Sequence, residues 1–142
     1  MPIWLGAYLT TVVLFLAVDS LWLGVVARTF YRDQLGELML ASPKLGIAAA
    51  FYLFYAAAIV ILAVMPALKS GVWWQAAVYG AVLGLAAYGT YDITNMATLK
   101  NWPYLMSFVD MAWGTLLTSG VAFSVWWIFA RLTFRSTSVF KA

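Results

Sequence analysis

Cysteine and histidine are both absent from this chain. Without cysteine there is no disulfide and no thiolate chemistry, and the redox compartment leaves no mark on the sequence. Without histidine there are no imidazole metal ligands, no axial haem histidines and no general base of the usual kind near neutral pH. Hydrolases built on Ser-His-Asp are excluded with it. Charge is also scarce. Only 9% of the 142 residues are charged, whereas a soluble domain carries about 25%. The net charge of +3 is spread along the chain, which suits the flanks of membrane segments and not a nucleic-acid footprint. Gly80, Gly84 and Gly89 lack the spacing of a phosphate-binding loop. No metal-ligand spacing and no cofactor motif is present.

What the chain has is apolar surface. It is 65% hydrophobic with a mean hydropathy of +0.93, and lipid is the solvent that tolerates such a surface. A span needs about 20 predominantly apolar residues. Four runs reach that length, at 3–26, 45–68, 72–98 and 104–132. They are continuous, without the period of two that a membrane barrel strand requires. The expected fold is therefore all-α: one polytopic membrane domain over 1–142, an antiparallel bundle of four transmembrane helices. The first run is interrupted by Asp19 and has no basic stretch ahead of it, so it is expected to be a retained helix and not a signal peptide.

Between the first two runs, Tyr31, Leu35, Leu38 and Met39 fall at i, i+4, i+7 and i+8, with Arg32, Asp33, Gln34 and Glu37 between them. That spacing predicts an amphipathic helix over about 28–42 lying in the interface. Lys69-Ser70-Gly71 and Asn101-Trp102-Pro103 read as short turns. Ala76, Gly80 and Gly84 form a small-residue stripe on the third run, suited to close helix packing within the bundle or against a second copy. Trp4, Trp102 and Tyr104 fit an interfacial aromatic belt. Basic residues divide evenly, with Arg28, Arg32, Lys44 and Lys100 on one side against Lys69, Arg131, Arg135 and Lys141 on the other. The positive-inside rule therefore ties. The basic cluster closing the last run tips the termini toward the cytoplasmic side.

Three acids lie inside the runs: Asp19, Asp92 and Asp110. Asp19 and Asp92 sit near the ends of the first and third runs, and Asp110 sits just inside the fourth. Antiparallel threading brings all three to one face, each about 10 Å below it at 1.5 Å per residue. Buried acids of this kind must face the protein interior, and be protonated or paired. Lys100, Arg28 and Arg32 are candidate charge partners. Tyr88, Asp92 and Asn95 share a face of the third run and Tyr91 lies beside it; Asp19-x-x-Trp22 recurs as Asp110-x-x-Trp113. The candidate ligand-binding set is thus Asp19, Trp22, Tyr88, Tyr91, Asp92, Asn95, Asp110 and Trp113. The plainer reading is that buried acids act as polar glue between helices.

Asp19-Ser20-Leu21-Trp22-Leu23-Gly24, Phe30-Tyr31-Arg32, Tyr91-Asp92-Ile93-Thr94-Asn95, Trp102-Pro103 and Asp110-Met111-Ala112-Trp113-Gly114 together resemble a family of small bacterial membrane proteins. The family is catalogued as a domain of unknown function (DUF2177-like). The resemblance implies a four-helix fold in the bacterial inner membrane and brings no activity with it. Its members' association with genes for fatty-acid modification implies a lipid-linked role. Three functions are compatible with these residues. One is a site that binds or handles a lipid-like or amphipathic molecule, with Trp22 and Trp113 against its body. The second is an intramembrane lipid-modifying or isomerase-type enzyme, with Asp92 and Asp110 as the catalytic pair, Asp19 as stabiliser, and Tyr91 or Asn95 positioning. The third is a small accessory subunit of a larger membrane complex.

Overall fold

The computed structural model describes the backbone of residues 2–139 and the side chains of residues 2–132. Arg135 and Lys141, which entered the charge count, lie outside the residues whose side chains are described. Among the described residues the protein is all-helical, with no strand. Helix α1 (Ile3–Leu21) continues into a π turn at Trp22–Val26; α2 is Arg28–Leu35; α3 (Leu45–Ile59) continues through a second π turn at Val60–Val64 into α4 (Met65–Ser70); α5 is Trp73–Thr98; α6 is Tyr104–Val139. In a medium without water each backbone N–H and C=O must be satisfied within the segment, and a helix does this locally.

The breaks between helices have local causes. Pro66 has no N–H and its ring crowds the carbonyl four residues earlier, and the π turn at Val60–Val64 lies where that crowding must be absorbed. Gly71 at φ +73° ends α4, and Asn101 at φ +57° turns the chain between α5 and α6. The amphipathic helix is shorter than its spacing predicts. Gly36 takes φ +51° and ψ −122°, a conformation essentially restricted to glycine, so α2 stops at Leu35. Tyr31 is buried and Leu35 half-buried, but Leu38 and Met39 are exposed.

Among the described residues, three stretches are long and apolar enough to cross a membrane: Ile3–Val26, Leu45–Ser70 and Tyr104–Leu132. Helix α5 has the length, at 26 residues, but Gln75, the glycines, Asp92 and Asn95 dilute its apolar character. One face of it is buried, at Ala76, Gly80, Gly84 and Asp92. That face packs on α6. A Cβ on Gly80 would lie 2.8 Å from the Thr118 carbonyl oxygen and 3.0 Å from the Ala122 Cβ; one on Gly84 would run into the Gly114 carbonyl and lie 2.9 Å from the Thr118 side chain. As numbers rise on α5 they fall on α6, so this pair runs in opposite directions. The small-residue stripe is therefore occupied within the chain and is not available to a second copy.

The main core joins α1, α3 and α6 around Phe15, Ile59, Val64, Leu117, Val121 and Val125. Polar bonds cross it at three points. Tyr55 and Thr118 hydroxyls bond at 3.0 Å, Ser119 Oγ donates to the Ala77 carbonyl at 2.9 Å, and Trp126 Nε1 donates to the Ala67 carbonyl at 3.1 Å. A second, smaller core forms where α2 lies over the start of α6, from Ala27, Tyr31, Trp102 and Met106. Trp102 is thus a core residue and not part of a belt: it is 8% exposed and donates to Ser107 Oγ at 2.8 Å. Trp4 and Tyr104, at 56% and 64% exposure, do face outward.

Candidate functional site

Two of the three acids are tied into a reciprocal network. Tyr52 Oη donates to Asp19 Oδ2 at 2.7 Å, and Trp113 Nε1 donates to Asp19 Oδ1 at 3.0 Å. Tyr31 Oη donates to Asp110 Oδ1 at 2.5 Å, and Trp22 Nε1 donates to Tyr31 Oη at 3.3 Å. The repeated Asp-x-x-Trp spacing has a structural meaning here. The tryptophan one turn after Asp19 serves the Asp110 side, and the tryptophan one turn after Asp110 serves Asp19. The two indoles stack at 4.2 Å between centroids and 10° between planes. The tryptophans therefore join the two halves of the network. They pack face to face on each other.

Asp92 is the exception. It is completely buried, at 0% exposure, and neither of its carboxyl oxygens has a hydrogen bond of ordinary geometry. Its nearest polar neighbours are the Asp110 carboxyl and the Ser107 hydroxyl, both close enough to interact with it. Two carboxylates offer only acceptors to each other, which is why proximity gives Asp92 no bond. Ser107 already accepts the Trp102 indole N–H. Asp19 lies within electrostatic reach of Asp110, so the three acids converge. Among the described residues they form no group that could hold a metal ion.

The expected cations do not reach them. Arg28, Arg32 and Lys100 are exposed, and none makes an ion pair with Asp19, Asp92 or Asp110. Their long stems carry the charge out toward water. Arg131 behaves alike, its guanidinium lying 3.6 Å over the Trp127 ring. Outside the spanning stretches, burial and then the bond to Asp110 push the Tyr31 phenol above its ordinary pKa. Tyr31 therefore remains a neutral donor throughout the physiological range. Replacing Tyr31 by phenylalanine removes the donor to Asp110 and the acceptor for Trp22 together. We expect α2 to loosen and trypsin to cut at Arg28 and Arg32 several-fold faster; an unchanged cleavage rate would mean that the bond does not anchor the helix.

Beside the network lies an open cleft of about 720 Å³. Asp19, Asp110, Tyr52, Tyr88 and Tyr91 form its polar end, and Leu23, Ala48, Phe51 and Ala87 are among its apolar walls. Of the residues singled out in the sequence, Asp19, Tyr88, Tyr91 and Asp110 line it. Asp92 stands behind Asp110, Trp22 and Trp113 brace the network, and Asn95 has no side-chain hydrogen bond and no place in the lining. Sequence reasoning missed Tyr31, Tyr52, Tyr55 and Ser107. Tyr52 and Tyr55 sit three apart in an apolar run, and that rare pair of hydroxyls was the available signal. Two smaller hollows, about 240 and 380 Å³, are lined almost wholly by apolar side chains, and none of the three acids lines either.

Helices of membrane-crossing length, apolar outside and holding a carboxyl–aromatic network inside, define a helical integral membrane protein. More narrowly, the chain belongs to the family described as predicted membrane protein (DUF2177), which it matches over residues 4–127. That match takes in every residue of the network and of the cleft. No curated protein and no solved structure matches the chain.

Proposed function

We propose that the protein binds or handles a lipid-like, amphipathic molecule in the cleft between α1, α3 and α5. The reading rests on a four-span antiparallel arrangement, with α5 as the fourth span, in a bacterial inner membrane with the termini on the cytoplasmic side. The buried face of α5 supports its place in the membrane: Asp92, its one charged residue, faces protein and not lipid. The observation that carries the function is the cleft itself. Its volume of about 720 Å³ falls within the usual range of ligand sites, which are mostly apolar with a few convergent polar groups. A polar head would meet Asp19, Asp110 and the tyrosine hydroxyls, and an apolar tail would run along Leu23, Ala48 and Phe51.

Native mass spectrometry of the protein released from membranes tests this. The wild type is expected to carry amphipathic adducts, and Ala48→Trp, which fills the apolar wall, to lose most of them while unfolding at the same temperature. Equal retention by both proteins would remove the proposal. A second reading, an intramembrane acid–base enzyme, is supported by one observation: Asp110 lines the cleft while Asp92 stands unpartnered behind it. Two carboxyl groups in different environments can serve as acid and base. Unchanged lipid composition in cells carrying Asp92→Asn or Asp110→Asn would exclude it.

A further inference from the structure

The unsatisfied Asp92 carboxyl limits what the cleft can bind. A buried carboxylate needs donors or a cation, yet Asp92 has no cation, only the Ser107 hydroxyl stands near enough to serve as a donor, and its other neighbour is another acid. The other groups around this pair are Asp19 on α1, Tyr31 on α2, Tyr52 and Tyr55 on α3, and Tyr88 and Tyr91 on α5. None is basic. The Tyr31 proton already goes to Asp110, that of Tyr52 goes to Asp19, and Tyr55 is bonded to Thr118. A single proton held between Asp92 and Asp110 would relieve the pair. Only Asp110 of the two reaches the cleft.

We infer that the cleft takes an amphipathic cation, an ammonium head on an apolar tail, and that its arrival at Asp110 releases the proton shared with Asp92. The inference rests on the cleft being a ligand site and adds the class of ligand. Charge balances: one positive head enters, one proton leaves to solvent, and no bond within the ligand changes. The aromatic faces of Tyr52, Tyr88 and Tyr91 at the polar end suit an ammonium head, since ring faces attract cations. An anionic head would meet two acids, Asp19 and Asp110, and no base. A neutral head would have no reason to displace the proton.

Dodecyltrimethylammonium is a suitable probe, because it carries no exchangeable proton of its own. It would be titrated calorimetrically into the full-length protein in phosphatidylcholine nanodiscs, in two buffers of different ionisation heat. The wild type is expected to release about one proton per probe bound, with affinity rising about tenfold per pH unit while the pair holds its proton. Asp92→Asn supplies an amide N–H to Asp110 in place of the proton, so binding should persist with no proton released and little pH dependence. Asp19→Asn is the second variant, expected to keep the proton release even if Asp92→Asn does not fold. Binding without proton release in the wild type, or the same release from Asp92→Asn, overturns the exchange and leaves the cleft as a site. No binding of the probe, together with no adducts in the mass spectrum, overturns both.

Discussion

Valine in place of Gly84 is expected to prevent α5 from docking on α6 and to leave little protein that survives detergent extraction as a single species. The added Cβ would meet the Gly114 carbonyl and Thr118 on the opposing helix. Those contacts involve backbone, which cannot swing away as a long side chain would. Overpacking ordinarily costs about 1–3 kcal/mol where side chains can give, and here the helices must separate. Gly89→Ala is the control, since only Met111 Cε stands near, at 3.6 Å. Thermal unfolding should show Gly84→Val far below the wild type and Gly89→Ala close to it. Equal midpoints for Gly84→Val and the wild type would mean that α5 and α6 do not make this contact.

The second large effect is expected at Asp19. Alanine there removes the acceptor for the Tyr52 hydroxyl and the Trp113 indole N–H at once. Each buried donor left without a partner costs about 1–3 kcal/mol. Asparagine should be much milder. Its oxygen can accept the indole N–H, and the Tyr52 hydroxyl can turn and accept from the amide. The expected order of stability is wild type, then Asp19→Asn, then Asp19→Ala. A cycle with Trp113→Phe should show clear coupling in the alanine background. If alanine and asparagine behave alike, the carboxyl is not holding these partners together.

Much of the architecture can be read in the sequence because lipid imposes simple demands. Long apolar runs must be helical, and three of the four runs fall on stretches long and apolar enough to cross a membrane. The α5 run is less distinct, because the face it packs on α6 is made of small and polar residues, Ala76, Gly80, Gly84 and Asp92, that weaken its apolar signal. The end of α2 was not visible, since the spacing through Met39 reads as a helix and only the backbone shows Gly36 breaking it. Within the site, the convergence of Asp19, Asp92 and Asp110 follows from their depth along the runs. The pairing of groups does not. The same Asp-x-x-Trp spacing is compatible with each tryptophan serving its own acid, a ligand or the neighbouring acid, and side-chain direction between helices decides which. Trp102 was hidden for a related reason: a residue near an interface looks like a belt until α2 folds over it, and Tyr31 looked only like part of the amphipathic face.

The exchange of partners between α1 and α6 has a consequence for biosynthesis. Asp19 is made early, but its acceptor sites are filled by Tyr52, 33 residues later, and by Trp113, 94 residues later. As the chain leaves the ribosome, the first helix therefore enters the bilayer with its acid uncompensated, gains one donor with Tyr52, and lacks the second until the final helix brings Trp113. A nascent chain cut short before α6 would carry that deficit permanently, giving the cell's quality-control machinery a chemical difference between an unfinished molecule and a finished one.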